Sequence, residues 1–217
     1  MVEQSSAPHK GALWLAAQAL NARAQAERPL QRPLPPLLFV TDPQRTPDPE
    51  SVARRLPRGA GVVYRSFGAR EGPQVAARLA EIAEARGLVL LVGVLTSLAD
   101  HCGALGLHLP ERMISRTPEL RRDRPGWLIT AAVHDEPAIR EAEAAGVDAV
   151  LLSTVFHSLS PSAGPALGVR AFSEIVSRAE IPVYALGGVN GHNAELLAQS
   201  GAVGLAAVEG VLSMNVD

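Results

Sequence analysis

The sequence predicts an α/β chain folded as a (β/α)₈ barrel of the TIM-barrel class, with one extra helix in front and a shortened last helix. Three observations lead there. Short apolar runs alternate with helical segments along the chain until eight strands are counted, the order that builds a parallel sheet. The runs are apolar without alternation, as in Leu37-Leu38-Phe39-Val40 and Leu88-Val89-Leu90-Leu91-Val92, which fits strands covered on both faces. Late in the series, Pro182 to Leu186 runs into Gly187-Gly188, and a further strand follows within Gly201 to Val208. Barrels place a phosphate site after two such late strands. With 217 residues, 47% of them hydrophobic, the chain can fill one such core.

Residues 1–36 are read as an amino-terminal helix and a proline-rich connector, and residues 37–217 as the barrel. Leu13, Ala17, Leu20 and Ala24 lie on one helical face, so residues 10–27 are expected to pack on the barrel's bottom or flank. His9-Lys10 and Ala22-Arg23-Ala24 imitate a secretion signal, but Gln18 interrupts the apolar run. Residues 28–36 contain four prolines and cannot be a helix interior.

Strand one covers Leu37 to Thr41 and ends at Asp42-Pro43, followed by a helix from Pro49 to Leu56. Strand two is Gly61 to Arg65. The next helix, Val75 to Arg86, turns Val75, Leu79, Ile82 and Ala83 inward and stops at Gly87. Strand three, Leu88 to Val92, leads to a short helix near Ser97 to His101. Strands four (Gly106 to Leu109) and five (Trp127 to Ala132) have no helix assigned between them. Glu136 to Ala145 is a helix closed by Gly146, and Val147 to Leu152 is strand six. A Ser/Pro/Gly-rich loop, 157–167, precedes a helix from Val169 to Arg178. Asn190 or His192 then opens a helix whose N–H groups would face an anion. The chain stops at Asp217, which leaves the eighth helix stunted; the amino-terminal helix is expected to cover the surface left bare.

The formal net charge of -2 lacks the basic face that nucleic acid requires. No run of eighteen apolar residues exists, so no membrane span is expected. Cys102 stands alone, which fits a cytoplasmic protein and a structural thiol rather than a nucleophile. Gly187 and Gly188 are the leading ligand contacts, because glycine lets backbone approach an anion. Arg65 ends strand two at the mouth, as a ligand contact or as the ion-pair partner of Asp42. His134 stands just past strand five, where barrel enzymes keep catalytic groups, and its imidazole suits acid–base work. His108 reads as a packed, hydrogen-bonded side chain and His157 as a solvated one. Asp100 and His101 have no third partner and are not assigned a metal.

From Leu37 to Leu212 the chain resembles the thiamine phosphate synthase family and its relatives, the thiazole tautomerases. The resemblance rests on Phe39-Val40-Thr41-Asp42, Gly106-Leu107-His108-Leu109, Val133-His134 with Glu136, and Gly146-Val147-Asp148-Ala149-Val150 into Val155-Phe156. Ile181-Pro182-Val183 to Gly187-Gly188-Val189, and Gly201-Ala202, complete it. It implies a barrel that couples hydroxymethylpyrimidine diphosphate to a thiazole phosphate, with Mg²⁺, releasing diphosphate. It also implies phosphate binding at Gly187, Gly188 and Gly210.

The departures bear on that activity. Of the family's Gln-x-Arg-x-Lys in strand two only Arg65 remains, in Val63-Tyr64-Arg65-Ser66-Phe67. The family's Asn-Asp-Arg falls on Gly93-Val94-Leu95, and its second acidic ligand on or near Met113, with Glu111 displaced beside it. The diphosphate serine aligns with Ala132, the loop lysine with Pro161, and the serine of the second phosphate loop with Glu209, which should repel a phosphate. No metal and no cofactor are therefore expected, and synthase activity is expected to be weak or absent. Two alternatives stay open: a tautomerase-like enzyme using His134, and a non-catalytic barrel. A small phosphorylated thiazole or a related molecule is left open as the ligand, as is homo-oligomerisation.

Overall fold

A computed structural model describes residues 11–158, 160 and 163–214. Eight parallel strands close into a barrel in chain order. They are β1 (Leu37–Val40), β2 (Gly61–Tyr64), β3 (Val89–Gly93), β4 (Gly106–Leu109), β5 (Leu128–Val133), β6 (Ala149–Leu152), β7 (Val183–Ala185) and β8 (Gly204–Ala207). Closure is made by β1 against β8, with Leu38 opposite Ala206. Side chains alternate between two apolar layers, as the period of a strand demands. Leu38, Val40, Val63, Leu91, Leu151, Tyr184 and Ala206 fill the interior. Leu37, Phe39, Val62, Leu90, Leu107, Ile129, Val150 and Leu205 face the surrounding helices. Tyr184 is wholly buried and donates its hydroxyl to the Pro35 carbonyl at 2.6 Å.

The helices are α1 (Ala12–Glu27), α2 (Pro49–Arg55), α3 (Gly72–Arg86), α4 (Thr96–Cys102), α5 (Thr117–Asp123), α6 (Glu136–Ala145) and α7 (Gly168–Val176). Asp48 and Asp135 cap α2 and α6 by accepting the N–H groups of Ser51 and Ala138, both at 2.9 Å. Three expectations are corrected. The helix expected from Val75 starts three residues earlier, and Ala76 rather than Val75 is fully buried. A 3₁₀ turn (Glu111–Arg116) and α5 fill the stretch between β4 and β5, where no helix was assigned. The helix expected from Asn190 or His192 is only a 3₁₀ turn, Ala194–Leu197.

Among the described residues only the 3₁₀ turn Glu209–Val211 follows β8, and α1 covers the surface that an eighth helix would cover. Leu13, Ala17 and Leu20 are buried, and α1 packs against β8, β1 and the Ala194–Leu197 turn. Asn21 lies on the same buried face, and its amide donates to the carbonyls of Leu34 (3.2 Å) and Val203 (3.0 Å). The connector is held by Arg32, whose guanidinium reaches the carbonyls of Pro125, Gly126 and Trp127. If this docking is a true part of the core, Leu20→Ala should cost about 2–5 kcal/mol, as large-to-small changes at buried sites do. Urea unfolding measures it; an unchanged midpoint would show that α1 is an appendage.

Candidate active site at the mouth of the barrel

The inward-facing positions of the strands continue past their carboxyl ends into the loops, and there polar side chains replace the apolar interior. Val63 faces inward, so Arg65, two residues on, does too. Its backbone N–H donates to Thr41 Oγ1 (2.9 Å) and its Nε to the Thr41 carbonyl (2.7 Å). The guanidinium stacks over Phe67 at 5.1 Å and lies 3.6 Å from Asp42 Oδ2. Arg65 neighbours Asp42, as the ion-pair reading expects, and it also lines the mouth.

Asp42 is occupied from several sides. Its Oδ1 accepts the N–H groups of Gln44 and Arg45, each at 3.1 Å, and its Oδ2 accepts Arg45 Nη2 at 2.9 Å. Burial pushes its carboxyl upward, but the hydrogen bonds and charge of Arg45 outweigh this and hold it below the ordinary carboxylate value. Thr46, also buried, closes the loop by accepting the Asp42 N–H and donating to the Asp42 carbonyl. Arg45 is thereby aimed at the loop after β8, where its Nη1 lies 3.8 Å from Glu209 Oε2. Glu209, expected from the sequence to repel a phosphate, has a cation beside it.

Gly187 and Gly188 adopt left-handed conformations, φ 94° and 66°. A side chain at Gly187 would press into Thr154, and one at Gly188 into the His157 carbonyl. A side chain at Gly210 would strike the Val189 carbonyl. Close packing of loops therefore demands glycine at these positions, and the same residues line the cleft. Among the described residues the N–H groups of Gly187 and Gly188 have no acceptor. The helix expected to turn its N–H groups to an anion does not form after Asn190 or His192, and the N–H groups of these two residues are bound by the side chains of Asn193 and Asn190.

Together these residues line a cleft of about 440 Å³ that includes Arg45, Arg65, Gly187, Gly188, Glu209 and Gly210. His157, expected to be merely solvated, stands on its rim. His134 does not line it. That side chain is half-exposed and pairs with Glu111, Nδ1 to Oε2 at 2.7 Å. His108 is buried, with Nδ1 2.9 Å from Thr130 Oγ1. Burial, and then the charge of Arg65, push its pKa down to about 3. Arg45 carried no signal in the sequence; only the folded neighbourhood of β1 and β8 brings it to the mouth.

Residues 37–211 match the thiamine monophosphate synthase family. The chain belongs to that family. A putative thiamine-phosphate synthase 2 of Aquifex aeolicus is 26% identical over 81% of this chain and 96% of its own length. A thiamine-phosphate synthase of Pyrococcus furiosus is 28% identical over 81% and 86%. A thiamine phosphate pyrophosphorylase structure from the same species superposes with TM-score 0.69 at 26% identity, covering 79% of this chain and 84% of that one.

Family membership implies Mg²⁺, and the residues here do not fit it. Val94 and Met113, at or near where the resemblance puts the family's metal ligands, have no side-chain oxygen, and Glu111 is engaged by His134. Among the described residues no three His, Cys, Asp or Glu side chains gather as a metal site would require. Val94 nevertheless keeps a left-handed backbone, φ 65°, which a β-branched residue adopts at a cost and an Asn or Asp tolerates.

Two outcomes follow. Val94→Asn should raise stability by about 1 kcal/mol through relief of that conformation, read as a higher urea midpoint; a lower midpoint would contradict the strain. His108 takes a proton near pH 6.5 when unfolded but only near 3 when folded. Its contribution is therefore complete above 6.5 and is lost progressively towards about 3, where the unfolded chain binds the extra proton. His108→Gln should flatten the stability–pH curve across that window. A curve of unchanged slope would mean that other groups govern it.

Proposed function

We propose that this family member binds a small phosphorylated molecule, a thiazole phosphate or a close relative, in the mouth cleft without Mg²⁺. We propose further that the diphosphate-releasing condensation has largely been lost. One observation carries this reading. The mouth cleft is lined by Arg45, Arg65, Gly187 and Gly188, while Val94 and Met113 stand at or near the positions where the resemblance puts the family's metal ligands. Removing a single strong electrostatic contact from a transition state costs roughly a hundredfold or more in rate. Phosphate binding by backbone N–H groups needs no particular side chain, so it outlasts such losses. Among the described residues no helix is long and apolar enough to cross a membrane.

A second reading, a tautomerase-like acid–base enzyme, is favoured by the Glu111–His134 contact. A carboxylate that accepts the Nδ1–H fixes the tautomer and leaves Nε2 as the base. Because His134 does not line the cleft, this reading requires a ligand that extends from Gly187 towards β5.

Calorimetry with thiazole phosphate and with inorganic phosphate, each with and without Mg²⁺, tests the proposal. The expected outcome is binding of equal strength in both conditions and no thiamine phosphate formed when both family substrates are supplied. Turnover on the order of one per second would overturn it, being ordinary enzyme speed. Absence of binding in every condition would leave the non-catalytic barrel.

A further inference from the structure

Charge at the mouth is balanced before any ligand arrives. Arg45 and Arg65 face Asp42 and Glu209. The two carboxylates are unlike one another. Asp42 is locked by two backbone N–H groups and by the Arg45 side chain. Glu209 is 55% exposed and touches Arg45 only at 3.8 Å, an ion pair of the weak, water-screened kind. Arg45 itself is held at 18% exposure by the Asp42–Thr46 loop, so little side-chain freedom remains to be lost on binding. Its Nε, and Nη2 of Arg65, are buried without a hydrogen-bond partner among the described residues. Buried guanidinium donors without acceptors are uncommon and call for one.

Resting on the reading of this cleft as an anion site, we propose that Arg45 is the cation that grips the ligand's phosphate and that Glu209 is its built-in competitor. The pair then selects doubly charged phosphate monoesters over singly charged anions. A singly charged ligand that reaches Arg45 exchanges one carboxylate for another and gains little. A phosphate monoester near neutral pH carries close to two charges and three acceptor oxygens. It can satisfy Arg45 and Arg65 together, which a single exposed carboxylate does not. Arginine suits this role because its planar fork matches phosphate oxygens.

The test is calorimetry of thiazole phosphate and acetate against the wild type, Arg45→Gln, Arg45→Lys and Glu209→Gln, each first checked for an intact thermal transition. Arg45→Gln should weaken phosphate binding by about ten- to a hundredfold, the range of a hydrogen bond to a charged group. Arg45→Lys keeps the charge without the fork, and should recover part of the loss even if Arg45→Gln disturbs its loop. Glu209→Gln should tighten phosphate binding by about two- to fivefold, as expected for an exposed pair, and narrow the preference for phosphate over acetate. Equal affinity in wild type and Arg45→Gln would overturn the role of Arg45 while leaving the cleft a phosphate site. An unchanged preference in Glu209→Gln would overturn the competitor. No phosphate binding in wild type and in Glu209→Gln alike would overturn both this inference and the reading beneath it.

Discussion

The pairing of β1 with β8 is the constraint on which the rest depends. It removes the open edges of the sheet and leaves the outer faces of both strands, Leu37, Phe39, Leu205 and Ala207, in need of cover. The turn after β8 is too short to supply that cover, so α1 lies there, with Asn21 bridging the connector and the approach to β8. A buried amide that must satisfy two carbonyls fixes where the helix sits more narrowly than an apolar stripe alone. The same closure makes the loops after β1 and β8 neighbours. Only because of it do Arg45 and Glu209 meet.

The strands were legible because burial on both faces writes itself as an unbroken apolar run. The helix α5 was not. Glu119, Arg121, Arg122 and Asp123 make it largely polar, and only Thr117 and Leu120 are buried. In the loop after β7 the asparagines do cap backbone N–H groups, but they fold the chain into a local knot of side-chain hydrogen bonds rather than starting a helix. At the mouth, Arg65 and the glycine pair could be found because each follows directly from a strand end. Arg45 could not. Its direction is set by a loop that Thr46 closes, and its importance by a carboxylate that lies far away in sequence and near only in the fold.

The barrel separates what holds the mouth together from what could act there. Gly187, Gly188 and Gly210 are fixed by loops packed too closely for a side chain, so the backbone there persists whatever the chemistry. The side chain at Val94 is under no such demand. Val94 records both facts, with a backbone conformation suited to a small polar residue and a side chain that has none of its chemistry.

The position of α1 also sets a schedule for the growing chain. The helix is made first, yet Asn21 finds one of its two acceptors on Val203, 182 residues later. At a synthesis rate of about 5–20 residues per second, the apolar side of α1 waits roughly ten to forty seconds for its seat to be made. Through that interval the nascent barrel has a helix in hand and nowhere to put it. The last strand out of the ribosome therefore completes two things together, the ring of strands and the docking of the first helix.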